Sequence, residues 1–222
     1  MKQIKHSLIR SIILVFLYFS LLQIVGQLSA ERILQYGFTD SKYQATVLSN
    51  WAFIAFHFIF ITASLIILAP RFKQSWQAYK QNFAKYLGMA ILGMLGIIFI
   101  NSIFVFETAN QTTLISMLHS MTPLQKGIFI IIVTFIGPIN EEVVFRQILI
   151  GELSKYLSKW LLLIISSCLF AILHIPSLNL LYQALPYFGS GLIIGFVYIK
   201  SKDNLFCSAT IHWLNNILSL LL

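Results

Sequence analysis

Three separated groups of polar side chains interrupt an otherwise apolar chain, and each has the spacing of one helical face. The first is Glu141-Glu142-Val143-Val144-Phe145-Arg146, the second Phe170-Ala171-Ile172-Leu173-His174, the third His212-Trp213-Leu214-Asn215-Asn216. Residues four apart on a helix are neighbours, so Arg146 neutralises Glu142. Glu141 then points about 100° away and stays available. His212 and Asn216 project from one face and can act on one substrate atom. A carboxylate, imidazoles and an amide form a hydrolytic set. Glu141 with His174 could hold and deprotonate a water. His212 and Asn216 could donate hydrogen bonds to the oxyanion that develops.

Taken singly, each group has a plainer reading. A lone intramembrane histidine is more often an interhelical hydrogen-bond partner. A Glu–Arg pair on a soluble helix is usually a solvated ion pair. The setting decides against the second of these. The chain has 222 residues, 58% hydrophobic and only 10% charged, against roughly 25% charged in a soluble domain. Only seven residues are acidic, and two of them are adjacent inside an apolar run. Ionisable residues at that depth are expensive and point to function, or to a buried structural ion network. His6, His57 and His119 have no polar company and read as surface or packing residues.

These groups need helices to hold them, and the hydropathy pattern predicts an all-α, polytopic transmembrane bundle of seven helices. The expected spans are Leu8–Leu28, Val47–Ala69, Tyr86–Phe106, a helix from Leu124 through the Glu141 group, Trp160–His174, Tyr187–Ile199, and Leu205 to the C-terminus. Pro138 is expected to kink or break the fourth. The count rises to eight if that break or the Trp76 region makes its own crossing. Residues 107–123 read as a polar loop. The basic segment after Pro70 reads as a loop or a short surface-lying helix. The first span reads as an uncleaved helix rather than a signal peptide, because its apolar run is long for one. Ala84, Gly88, Gly93 and Gly96, and the Gly191/Gly195 pair, read as close-packing faces. Gly189-Ser190-Gly191 is no nucleotide loop, since the spacing and the strand context are wrong. Cys168 and Cys207 lack metal-ligand spacing and read as reduced core residues. The organisation is one integral-membrane domain over 1–222, with a motif-bearing core at about 122–222.

The formal charge is +8, and its distribution fixes topology rather than recruiting nucleic acid. Lys2, Lys5, Arg10, Arg71, Lys73, Lys80, Lys85, Lys155, Lys159, Lys200 and Lys202 fall on one side, against Arg32, Lys42 and Lys126 on the other. This bias puts the N-terminus in the cytoplasm.

Glu141-Glu142-x-x-x-Arg146, Phe170-x-x-x-His174 and His212-x-x-x-Asn216, in that order, resemble the motif set of the CPBP intramembrane proteases. This family is also called Abi, or the CAAX proteases and bacteriocin-processing enzymes, and includes the type II CAAX prenyl endopeptidases. The resemblance covers about Gly137–Leu222 and departs at no motif position. It implies a helical bundle that hydrolyses peptide bonds within a bacterial plasma membrane, acting on a peptide or membrane-protein substrate that reaches it through lipid or from the cytoplasm. By position it implies Glu141 as base, His174 as its helper with the water, His212 and Asn216 as the oxyanion site, and Glu142 with Arg146 as support. It also raises zinc, with Glu141, His174 and His212 as the ligands. The chain lacks HExxH and carries its two histidines on different helices, so metal-free water activation is favoured. A role in bacteriocin self-immunity or peptide maturation follows from the family alone. The rival readings are a non-catalytic membrane immunity or regulatory partner, with the polar cluster as structural glue, and a proton-coupled transporter, which the missing repeats disfavour.

One tension follows from counting residues along straight helices. Glu141 and His212 fall at compatible depths, whereas His174 falls about 21 Å from the inner side and away from them.

Overall fold

The computed structural model describes residues 2–104 and 106–221, with the side chains of residues 2–7 outside the description; the reading of His6 lies there. In chain order the helices are α1 (Lys2–Gln27), α2 (Ala30–Gln35), α3 (Lys42–Ile67), α4 (Ala69–Gln81), α5 (Phe83–Ile103), α6 (Ala109–Ser120), the long α7 (Pro123–Lys155), α8 (Lys159–Leu173), α9 (Ala184–Lys200) and α10 (Leu205–Leu221). No strand occurs among the described residues. The protein is an all-helical membrane protein. Among the described residues five segments are long and apolar enough to cross: Leu8–Gln27, Lys42–Ile67, Phe83–Ile103, Pro123–Lys155 and Leu178–Lys200. α8 and α10 are apolar but only 15 and 17 residues long. At 1.5 Å per residue they reach roughly 22 and 25 Å, short of the ~30 Å hydrocarbon core.

Three expectations are corrected. Residues 107–123 are not a loop, because α6 occupies most of them. Its start is capped by Thr108, whose hydroxyl accepts from the Gln111 N–H at 3.3 Å, and hydroxyl caps favour helix. Pro70 does not merely end a helix; it stands in the first turn of α4, where a missing N–H costs nothing. α4 buries Phe72, Ser75 and Tyr79 and turns Lys73 and Lys80 outward. Nor does Pro138 break α7. The turn Ile132–Ile136 is π-helical, and Gly137 donates to the Ile132 carbonyl. That extra residue per turn absorbs the proline's missing donor and its ring clash, so the helix continues. α7 itself starts where the sequence places it. Thr122 and Gln125 cap each other in a capping box, and Pro123 follows the cap.

The contacts form two compact units. The first comprises Met1–Ile67 and Thr113–Asn140. In it Tyr18 of α1 packs on Phe56 and Phe60 of α3, with ring centroids 5.5 and 5.0 Å apart. Met121, Phe129 and Val133 close over Phe53, Leu114, Met117 and Leu118. His57 is buried between Phe53 and Phe56. The Asn140 amide nitrogen lies 3.2 Å from its Nδ1 and donates to its carbonyl at 3.1 Å. Thus His57 is a packing residue, as its isolation in sequence suggests. His119 is exposed.

The second unit comprises Leu68–Thr112 and Glu141–Leu222. Its core joins α4, α5, α9 and α10 through Tyr79, Tyr86, Ile97, Ile194, Val197 and Ile211. The glycine faces work as expected at most positions. A Cβ at Gly93 would meet Ile211 at 2.7 Å and one at Gly96 would meet Ile193 at 3.1 Å. A Cβ on Gly191 would meet the Ser167 backbone at 3.2 Å, and one on Gly195 would strike Leu163, so α8 and α9 touch along this pair. Gly88 and Ala84 are corrections: nothing lies within 4 Å of a Cβ at Gly88, and Ala84 is exposed. Cys207 is buried, but Cys168 is exposed rather than in the core.

Candidate active site

Every predicted site residue lies in the second unit. α7 supplies Glu141, Glu142 and Arg146. The helical spacing pairs Glu142 Oε1 with Arg146 Nη1 at 3.2 Å, and both side chains are fully buried. Arg146 is gripped on two further sides. Its Nη2 donates to the Gly191 carbonyl of α9 at 3.3 Å, and its guanidinium lies 4.8 Å above the Phe170 ring of α8. The close approach of α8 and α9 at Gly191 is what brings that carbonyl within reach. α7 is tied to α8 by the Ser166 hydroxyl, which donates to the Phe145 carbonyl at 2.6 Å.

α10 supplies His212, which stands between the two glutamates. Its Nδ1 is 3.1 Å from Glu142 Oε1, and its Nε2 is 3.5 Å from Glu141 Oε2. A carboxylate can only accept, so Nδ1 carries a proton toward Glu142. Nε2 is left facing Glu141. Glu141 keeps 21% side-chain exposure while Glu142 keeps none. The two adjacent carboxylates therefore differ in setting: Glu142 is paired with Arg146 and enclosed, and Glu141 is partly exposed. Asn216 follows His212 by one turn on α10 and accepts from the Asn215 amide at 3.3 Å.

α8 supplies His174 at its very end. Ser158 caps the start, and the chain leaves the helix at His174, two residues before Pro176. His174 Nδ1 lies 2.7 Å from the Phe170 carbonyl. Because a carbonyl only accepts, Nδ1 is the protonated nitrogen and Nε2 is presented outward. The ring stacks on Tyr187 at 4.5 Å and lies 4.3 Å from Phe170, which in turn meets His212 at 5.7 Å. His174 is within electrostatic range of Glu141, His212 and Arg146. The separation expected from straight helices is absent. α8 meets α7 with Ser166 against Phe145, which sets Phe170 at the level of the glutamates. Helical side chains lean toward the N-terminus, so His174 reaches back one turn to that level.

Tyr187 is the residue that sequence reasoning missed. It stacks on His174, and its hydroxyl is 2.6 Å from that of Thr108. No motif spacing marks it; only the fold brings the start of α9 against the end of α8.

A zinc ion would need three or four such donors around one point. Among the described residues no group of three or more His, Cys, Asp or Glu side chains is placed to hold a metal ion. Glu141 and His212 face each other, but His174 does not complete a ligand set with them.

The fold and the site together define a helical membrane protein with a buried Glu–Arg–His cluster beside an open glutamate. Residues 123–218 match the family described as Type II CAAX prenyl endopeptidase Rce1-like. The chain is 35% identical to an uncharacterized protein of Mycoplasma capricolum subsp. capricolum over 52% of its own length and 34% of that protein's. It is 34% identical to the membrane-embedded CAAX protease MroQ of Staphylococcus aureus over 40% of its own length and 36% of that protein's. It thus spans about a third of the length of the curated relatives that it matches. No solved structure matches it.

Proposed function

We propose that the protein is an intramembrane endopeptidase, with its catalytic core at about 122–222. The observation that carries this reading is His212 standing between an enclosed, arginine-paired Glu142 and an open Glu141. Glu141 takes a proton from a water that His174 helps to hold through its outward Nε2. The hydroxide attacks the scissile carbonyl carbon, and the oxygen gains the negative charge. Asn216 donates to that oxygen from its amide. A His212 ring carrying both protons donates Nδ1–H to Glu142 and has Nε2–H left for the same oxyanion. The tetrahedral intermediate then collapses, its C–N bond breaks, and Glu141 returns the proton to the departing amine. Glu142 and Arg146 hold the geometry. No step in this reading runs through zinc.

The protein acts from a bacterial plasma membrane as one integral domain of seven crossings, the shorter α8 and α10 included, with its N-terminus cytoplasmic. Its substrate is a peptide or membrane-protein segment. Bacteriocin self-immunity or maturation of a secreted peptide is the setting that the family suggests.

The test uses the purified full chain in lipid nanodiscs with an internally quenched peptide library, half of it bearing a C-terminal farnesylcysteine. New termini are read by mass spectrometry. Wild type is expected to cut, and Glu141→Ala and His174→Ala to leave the library intact at equal protein folding. Cleavage retained in either variant overturns the assignment and favours a non-catalytic membrane partner. Inhibition by 1,10-phenanthroline but not by its 1,7 isomer, reversed by added zinc, would overturn the metal-free form.

A further inference from the structure

A cavity of about 500 Å³ opens in the second unit, on the far side of α9 from the glutamates. Leu92, Gly93 and Gly96 of α5 and Ile193 and Phe196 of α9 line it, and Lys200 stands at one end. Its wall is otherwise apolar. That volume is in the range of sites for small ligands. Leu92 and Phe196 are exposed, so in a bilayer the groove faces lipid rather than water.

The register of the two helices decides what stands at each end. Gly93 approaches Val197, Gly96 approaches Ile193 and Gly189 approaches Ile100, so α5 and α9 run antiparallel. The Tyr86 hydroxyl donates to the Ser201 carbonyl at 3.1 Å, which sets the first turn of α5 beside the last turn of α9. Lys85 precedes the lining residue Met89 by four positions and therefore shares its face. Lys85 and Lys200 thus flank the same end of the groove. Lys200 Nζ is held there over Trp160 at 5.5 Å and Phe196 at 5.4 Å. The carboxylate at that end, Asp203, is engaged by Lys159 at 2.7 Å. No acidic side chain among the described residues lines the cavity.

An apolar slot with two cations at one mouth has the shape and charge of an anionic amphiphile. We propose that this groove binds an anionic phospholipid, with one acyl chain lying along α5 and α9 and the phosphate at Lys85 and Lys200. The site does not depend on the endopeptidase reading. Its occupant is a structural or regulatory lipid rather than a substrate.

The experiment is native mass spectrometry of the full chain in neutral detergent, with dioleoylphosphatidylglycerol or dioleoylphosphatidylcholine as the probe. The two share acyl chains and differ in net charge. Wild type should retain the glycerol lipid preferentially. Lys85→Gln and Lys200→Gln should each weaken that retention about fivefold and leave the choline lipid unchanged. Leu92→Trp, which fills the slot, should lower both, with thermal unfolding confirming that it folds; if it does not, the two lysine variants decide. Equal retention of the two lipids by wild type overturns the proposal, as does a preference that survives the double lysine variant. Displacement by glycerol 3-phosphate would mean a phosphate site without the chain. Displacement by farnesylcysteine methyl ester, insensitive to both lysine changes, would mean an isoprenoid slot. Either result also overturns it.

Discussion

Glu142 and Arg146 form an ion pair at 3.2 Å from which solvent is wholly excluded. The pair is not self-sufficient: Glu142 Oε2 and Arg146 Nε are buried without hydrogen-bond partners. What holds it is shared attention from outside α7, with His212 on the carboxylate and Phe170 and the Gly191 carbonyl on the guanidinium. Removing one charge should therefore cost far more than removing both. Arg146→Met leaves a buried carboxylate unpaired and should destabilise the protein by about 3–5 kcal/mol. The double variant Glu142→Gln/Arg146→Met should recover much of that. Thermal unfolding in detergent measures both, and equal losses in the single and double variants would show the pair to be inert.

The two glutamates should separate by phenotype although they are adjacent. Glu141→Gln keeps shape and fold, because Glu141 is partly open and its contact with His212 is a long 3.5 Å. Peptide cleavage should nonetheless fall by about 10²–10⁴, the usual worth of a general base. Glu142→Gln should instead lower the unfolding temperature. Activity assays and melting curves on the same preparations check this crossing pattern; two identical profiles would merge the roles.

Tyr187 should matter through His174. Tyr187→Phe keeps the ring stacked at 4.5 Å and loses the Thr108 contact. Tyr187→Leu loses the stack, which is worth about 0.5–1.5 kcal/mol. Cleavage should fall by roughly three- to tenfold in the leucine variant and less in the phenylalanine one. Rescue by phenylalanine separates ring positioning from a hydroxyl role.

The glycine pair of α9 should be unequal. At Gly191 an added Cβ meets the backbone of Ser167, which cannot step aside. At Gly195 it meets the end of the Leu163 side chain, which can rotate. Gly191→Ala should destabilise by about 1–3 kcal/mol and move the carbonyl that Arg146 uses. Gly195→Ala should cost less. Unfolding measurements rank them, and the reverse order would refute the contact assignment.

Much of this protein is readable along the chain. The apolar runs determine an all-helical membrane protein, and the four-residue spacings determine that Glu142 pairs with Arg146 while Glu141 does not. Those are local properties: helical geometry relates neighbours one turn apart whatever surrounds them. Thr122, Pro123 and Gln125 mark the start of α7 for the same reason. Polarity misleads where a segment is capped but not apolar, as in α6, and where proline meets a π-turn, as at Pro138. Depth along a straight helix misplaces His174, because α7 runs on to Lys155 and Glu141 lies as far from the connection to α8 as His174 does; the ring also reaches back to the Phe170 carbonyl. Only the tertiary structure decides that His212 bridges both glutamates, that Gly191 offers its carbonyl to Arg146, and that Tyr187 backs His174. These are meetings between helices 45 or more residues apart for Arg146 and Gly191, and 70 for Glu142 and His212. They depend on how closely small residues let two helices approach, and no period within one helix carries that information.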